Sequence, residues 1–162
     1  MKRVVFWIFL AFCVLSSPAW GGTFDNRAAL SGLQTAKVYF DVNLGDARKL
    51  LVRLDLLTQT VDQFVESGLT PEVVIGIRGG ATKLFTRGTG HFKEEDVQYS
   101  EPIKKRVSEL KAKGFVIEQC AIATQFLNVK AEDMLPEVTM VANGYVSMIG
   151  YQNKGYAVVP MD

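Results

Sequence analysis

Five short strand-like runs alternate with helical segments between Ala36 and Pro160, and this alternation restricts the chain to one fold class. The runs are Ala36 to Asn43, Glu72 to Ile77, Phe115 to Gln119, Val138 to Ala142 and Tyr156 to Val159, rich in β-branched and aromatic residues. Glu72 to Ile77 (EVVIGI) is continuously apolar rather than alternating, which indicates a strand covered on both faces, as in a parallel sheet. The clearest helix follows the first strand. Leu50, Leu51, Leu54, Leu57, Val61, Phe64 and Val65 recur at helical spacing, Asp46 is placed to cap the segment, and Gly68 ends it. Ser100 is placed to cap a second helix, with Pro102 in its first turn, an apolar stripe of Ile103, Val107 and Leu110, and a stop at Gly114. Ala121 to Leu127, Ala131 to Leu135 and Tyr145 to Gln152 read as shorter helical pieces. Asn143-Gly144 reads as a turn, Gly155 as a cap, and Pro160 as the end of the last strand.

A strand–helix alternation of this kind predicts right-handed crossovers and helices on both faces of one sheet. The expected fold is a three-layer α/β/α sandwich with a five-stranded, mainly parallel sheet of flavodoxin-like type. Sites in such folds lie beyond the carboxyl ends of the strands. That rule selects the loops after Asn43, Ile77, Gln119 and Ala142.

The N-terminus has a separate reading. Lys2 and Arg3 precede an uninterrupted apolar run from Val4 to Leu15, and Ser16, Ser17 and Pro18 break it. Small residues then offer cleavage after Ala19 or after Gly21, so residues 1–21 read as a secretory signal peptide. The run is shorter than the roughly 20 residues that a membrane-spanning helix needs. Residues 22–35 form an N-terminal arm without assigned structure, and residues 36–162 form the α/β domain. The expected location is periplasmic or secreted, with no membrane association once the leader is removed.

Without the leader about 141 of the 162 residues remain, the size of one domain. Removing Lys2 and Arg3 from 18 basic residues leaves 16 against 17 acidic ones, and no basic block stands out, so nucleic-acid binding has no electrostatic support. One histidine (His91) and one cysteine (Cys120) remain, too few for a zinc site built on those residues. Asp41, Asn43 and Asp46 lack the spacing and the downstream Glu of a calcium loop. No phosphate-binding or dinucleotide-binding glycine motif is present, and no cofactor or metal is expected.

Cys120 is the candidate reactive group. It follows the third strand and immediately precedes a helix, where unpaired N–H groups, beginning at Ala121, favour an anion and thus a thiolate. An unpaired cysteine in an exported protein is either a reactive group or a small buried hydrophobe, and both readings stand at this point. Without a second cysteine the chain cannot act as a Cys-x-x-Cys dithiol oxidoreductase. Arg78-Gly79-Gly80, after the second strand, reads either as a tight turn or as an anion-binding loop in which Arg78 adds charge. Asn143 lies in the loop after the fourth strand. Arg78, Gly79, Gly80, Ala121 and Asn143 are therefore the candidate binding residues around Cys120. The polar stretch from Thr86 to Ser100 reads as a lid-like loop or a solvated excursion, and His91 within it as a proton donor or a surface residue.

The stretches Gly114-Phe-Val-Ile-Glu-Gln-Cys120-Ala-Ile-Ala, Asp133-Met-Leu-Pro-Glu-Val138, Asn143-Gly-Tyr-Val and Asn153-Lys-Gly-Tyr-Ala-Val-Val-Pro160 carry a resemblance. Together with Val74-Ile-Gly-Ile-Arg-Gly-Gly-Ala81 they resemble the DsrE/DsrF-like family, and most of all its exported branch. The resemblance runs from about Ala36 to Pro160. It implies a DsrE-like α/β/α sandwich, assembly as a homotrimer or homohexamer, and, at the position of Cys120, a cysteine that accepts and passes on sulfur as a persulfide. Its donor or acceptor would be a protein or a small sulfur compound. Many relatives have a histidine before the glycine pair where this chain has Arg78. Two functions follow as expectations: a periplasmic sulfur carrier or sulfurtransferase-like protein using Cys120, and a non-catalytic oligomeric binding or structural module in which Cys120 is a core residue. A redox sensor using the same thiol differs from the first only in its oxidant.

Overall fold

The computed structural model describes residues 24–162; the expected signal peptide lies outside the described residues. A one-turn helix α1 (Arg27–Leu30) lies in the N-terminal arm. The domain then runs β1 (Thr35–Val42), α2 (Ala47–Glu66), β2 (Thr70–Ile77), α3 (Ser100–Ala112), β3 (Val116–Cys120), α4 (Ala121–Phe126), β4 (Thr139–Val141), α5 (Gly144–Asn153) and β5 (Ala157–Met161). Short 3-10 segments occupy Gly79–Leu84, Glu94–Tyr99 and Ala131–Asp133.

The sheet order is β4-β3-β2-β1-β5, and every pairing is parallel. From β1 to β4 the chain steps across the sheet in one direction. It then returns through α5 to place β5 on the far side of β1. Right-handed crossovers put helices on opposite faces when the stepping direction reverses. Accordingly α2 and α3 pack together on one face, while α5 crosses the other and touches β1, β2, β3 and β5.

The two faces differ in chemistry because side chains alternate along each strand. Toward α2 and α3, Val38, Phe40, Val42, Val73, Ile75, Ile77 and Ile117 meet Leu50, Leu54, Leu57, Val61, Ile103, Val107 and Leu110 in a continuous apolar core. Each such buried side chain contributes on the order of 1.5–3 kcal/mol. Toward α5 lie Tyr39, Asp41, Gly76, Glu118 and Cys120.

Several local expectations change. The Asp46 carboxylate does cap α2, accepting the Lys49 N–H at 2.9 Å. Ser100 caps nothing: the 3-10 segment Glu94–Tyr99 runs straight into α3, so the backbone is already helical at Tyr99 and Ser100 becomes the first helical residue. Pro160 lies within β5 rather than ending it. β5 is an edge strand paired only with β1, and an edge tolerates a residue without an N–H. Asn143-Gly144 is not a turn but the cap and first residue of α5, with the Asn143 Oδ1 accepting the Tyr145 N–H at 2.9 Å. The stretch from Thr86 to Ser100 is tied down. Thr86 bridges to Met134, and Arg87 donates its backbone N–H to the Asp133 carbonyl and its Nε to the Met134 carbonyl, both at 2.8 Å.

Candidate functional site

Cys120 is the last residue of β3 and the residue from which α4 starts. Alternation along β3 sends Ile117 and Gln119 toward the apolar core and Glu118 and Cys120 toward α5. Gln119, fully buried, fixes this strand end: its Nε2 donates at 3.0 Å both to Thr82 Oγ1 and to the carbonyl of Cys120. The Cys120 side chain makes no capping hydrogen bond to α4, is 5% exposed and forms no disulfide among the described residues. Gly144, opening α5, presses against it. A Cβ at position 144 would stand 3.1 Å from the Cβ of Cys120 and 3.5 Å from its Sγ.

The thiol forms part of the wall of a cavity of about 460 Å³ beyond the carboxyl ends of β2, β3 and β4. Arg78, Gly79 and Gly80 contribute one wall and Asn143 and Tyr145 another. Ile122, Ala123, Phe126 and Leu127, from α4 and its end, supply an apolar third. Five of the residues expected at a site, Arg78, Gly79, Gly80, Cys120 and Asn143, thus meet in one place. Ala121 adjoins Cys120 in the chain but does not line the cavity.

Arg78 is less available than its sequence position suggests. Its Nε and Nη2 donate to the two carboxylate oxygens of Asp41 at 2.7 and 2.5 Å, and its Nη1 donates to the Tyr145 hydroxyl at 3.2 Å. The guanidinium also lies 4.9 Å from the centre of the Tyr145 ring, within cation–π range. The hydrogen bonds to Asp41 hold Arg78 still more firmly protonated than usual. The glycine pair has a packing reason. A Cβ on Gly80 would stand 2.8 Å from the Gly45 Cα, so the turn after β1 and the start of the 3-10 segment pass backbone to backbone. Gly79 adopts φ 54°, which glycine accepts without cost, and the Ala81 N–H donates to the Asn43 carbonyl at 3.3 Å.

Behind the cavity a polar cluster lies between the sheet and α5. The buried Glu118 carboxylate accepts from the hydroxyls of Ser147 and Tyr151, the latter at 3.1 Å. Burial, reinforced by the charge of Glu118, pushes the Tyr151 phenol up to about 12. Burial and the charges of Glu118 and Asp41 raise Tyr39 further. His91 lies elsewhere, its Nε2 3.3 Å from Asp133 Oδ2, and is not part of the cavity wall. Among the described residues no three His, Cys, Asp or Glu side chains are grouped to hold a metal. Of the would-be calcium ligands, Asp41 pairs with Arg78 and Asp46 caps α2.

Asp41, Glu118, Tyr145 and the apolar wall were not identified from the sequence. A signal existed for the two acids. Each is the one carboxylate of its strand, next to apolar residues, and a carboxylate buried there needs a partner.

The family pattern of the DsrE/DsrF-like family matches residues 21–161. An uncharacterized protein of Aquifex aeolicus is 31% identical over 125 residues, covering 76% of this chain and 55% of that protein. The chain thus spans about half the length of this curated relative. A protein of unknown function from Methanobacterium thermoautotrophicum has the same fold, with a TM-score of 0.62 at 15% identity over 77% of this chain and 98% of its own. The ychN protein of E. coli gives 0.58 at 15% identity, over 78% of this chain and 99% of its own. With nearly all of its α/β domain inside the matched pattern, the chain belongs to the DsrE/DsrF-like family.

Proposed function

We propose that this protein is a sulfur carrier in which Cys120 holds sulfur as a persulfide. The observation that carries this reading is the placement of the thiol in the wall of a cavity at the carboxyl ends of the strands. A thiolate there attacks a sulfane sulfur, and a second nucleophile later removes that sulfur. Nothing in this exchange requires a metal or an organic cofactor.

The same proposal includes export, cleavage of residues 1–21 and a periplasmic or secreted site of action, supported by the charged, apolar and small-residue pattern of the N-terminus. It also includes self-association as a trimer or hexamer. Phe126 of α4 and Tyr145 of α5, which line the cavity, and Val146 and Ile149 of α5 are exposed apolar side chains, a surface suited to cover by another subunit. A protein or a small sulfur compound would deliver and collect the sulfur.

A second reading, a non-catalytic binding module with Cys120 as a core residue, is favoured by the 5% exposure of that residue. Intact mass separates the two. The mature protein and Cys120→Ala are exposed to thiosulfate, polysulfide and an alkyl persulfide. A gain of sulfur on the native chain only, reversed by reductant, supports the carrier. No gain from any donor, with Cys120 silent to thiol reagents in the folded state, establishes the binding module.

A further inference from the structure

We infer that the donor accepted at this cavity is a persulfide whose carbon group is apolar, not one whose carbon group is charged. The inference rests on the carrier reading and concerns the substrate class of that same site.

Three features near Cys120 that could hold a charged carbon group are each engaged in part. The Arg78 guanidinium is neutralised by the buried Asp41 carboxylate through two hydrogen bonds, and a third of its five N–H donors meets Tyr145. The glycine loop is packed against Gly45, with the Ala81 N–H donating to Asn43. At the start of α5, the Tyr145 N–H is held by the Asn143 side chain. The wall supplied by α4 and its end is hydrocarbon: Ile122, Ala123, Phe126 and Leu127. A charged carbon group lying against that wall loses hydration without gaining an unpaired cation, whereas an apolar group gains by leaving water. The volume of about 460 Å³ lies in the range of roughly 300–1,000 Å³ typical of small-molecule sites.

The step balances without an added oxidant or reductant. The Cys120 Sγ, as thiolate, attacks the terminal sulfur of R–S–SH. A new S–S bond forms to Cys120, and the S–S bond of the donor breaks. Its electron pair leaves on R–S⁻, which takes up the proton that the Cys120 thiol gave up. Cys120 ends as a persulfide and the donor as a thiol.

The test compares benzyl persulfide with cysteine persulfide, each rate of loading on Cys120 divided by the rate of that donor with a free small-molecule thiol. The expected ratio favours the benzyl donor by at least about tenfold, the discrimination that a small apolar group gains in an apolar pocket. Phe126→Asp collapses that ratio toward one. Phe126 is 87% exposed, so this substitution leaves the core intact. Equal loading, or faster loading by cysteine persulfide, overturns the inference while leaving Cys120 a carrier. If neither donor loads Cys120 while thiosulfate or polysulfide does, the inference falls and the carrier reading stands; if none of them loads it, the carrier reading fails. The cavity claim is then read from the unreactive benzyl methyl sulfide: without its saturable shifts of the Ile122, Ala123 and Leu127 methyl resonances, the apolar site falls as well.

Discussion

Gly144 stands directly over Cys120, so close that a Cβ on it would come within 3.1 Å of the Cys120 Cβ. In Gly144→Ala the added methyl meets the Cys120 Cβ at 3.1 Å, and neither backbone can yield freely, since one ends a strand and the other starts a helix. Overpacking of this kind costs about 1–3 kcal/mol, against a gain of about 0.4–1 kcal/mol from a less flexible unfolded chain. The expected net loss is about 1 kcal/mol, together with slower labelling of the thiol by iodoacetamide. Unchanged stability and faster labelling would show that the thiol does not pack against α5.

Asp41 sets the charge of the cavity through Arg78. The Arg78 side chain is 23% exposed, so water shares in its solvation and removal of Asp41 costs less than the 3–5 kcal/mol of a fully buried pair. Asp41→Ala is expected to lose about 2 kcal/mol by urea denaturation. It also frees a cation beside the thiol, and iodoacetate should then gain on iodoacetamide as a label for Cys120. In Asp41→Ala/Arg78→Met the stability should recover in part and the preference for iodoacetate should vanish. A reagent ratio indifferent to Asp41 would mean that the ion pair does not govern the site.

Gly76 lies between Asp41 and Glu118 in the register of the sheet, and the Tyr39 hydroxyl occupies the place of its missing side chain. Gly76→Ala therefore collides with a buried ring and is expected to cost about 3 kcal/mol. Tyr39→Phe removes only the hydroxyl and does not relieve the ring contact. Gly76→Ala/Tyr39→Leu should recover much of the loss. Full stability in the single variant, measured by thermal unfolding, contradicts the packing.

The alternation of strand and helix was legible because it is a local property, carried by runs such as Val38–Phe40 and the Leu50–Leu54–Leu57 stripe. So was the placement of Cys120 at a strand end, which needs only β3 and the residues after it. The ion pair was not legible. Arg78 meets Asp41 because β1 and β2 pair in register, with Asp41 opposite Gly76 and Val42 opposite Ile77, a relation no single segment encodes. Read alone, Arg78-Gly79-Gly80 is either a tight turn or an anion loop; the close passage of Gly45 and the Asp41 carboxylate are visible only in three dimensions. The cap at Ser100 failed for a related reason. A preceding 3-10 segment competes with a capping residue, and nothing in Glu94 to Tyr99 has helical periodicity that marks it.

The polar layer under α5 sets the alkaline limit of the fold. Tyr151 holds its proton to about 12, against an ordinary value of 10.0, because the phenol is partly buried and sits beside the Glu118 carboxylate. Tyr39 holds its proton longer still, and Tyr156, hydrogen-bonded to Glu72, is also raised. In the unfolded chain these phenols ionise near the ordinary value, so above it the unfolded state binds fewer protons than the folded state. Stability then falls as pH rises. The contribution of Tyr151 is complete below about pH 10 and is lost progressively between about 10 and 12. Ultraviolet titration of the folded protein should show Tyr151 ionising near pH 12 and Tyr39 later, and Tyr151→Phe should delete the first of these two steps. The urea midpoint should decline with pH above about 10, and less steeply in Tyr151→Phe. If all five tyrosines ionise together near pH 10 in protein that remains folded, the phenols are solvated and Glu118 does not reach them.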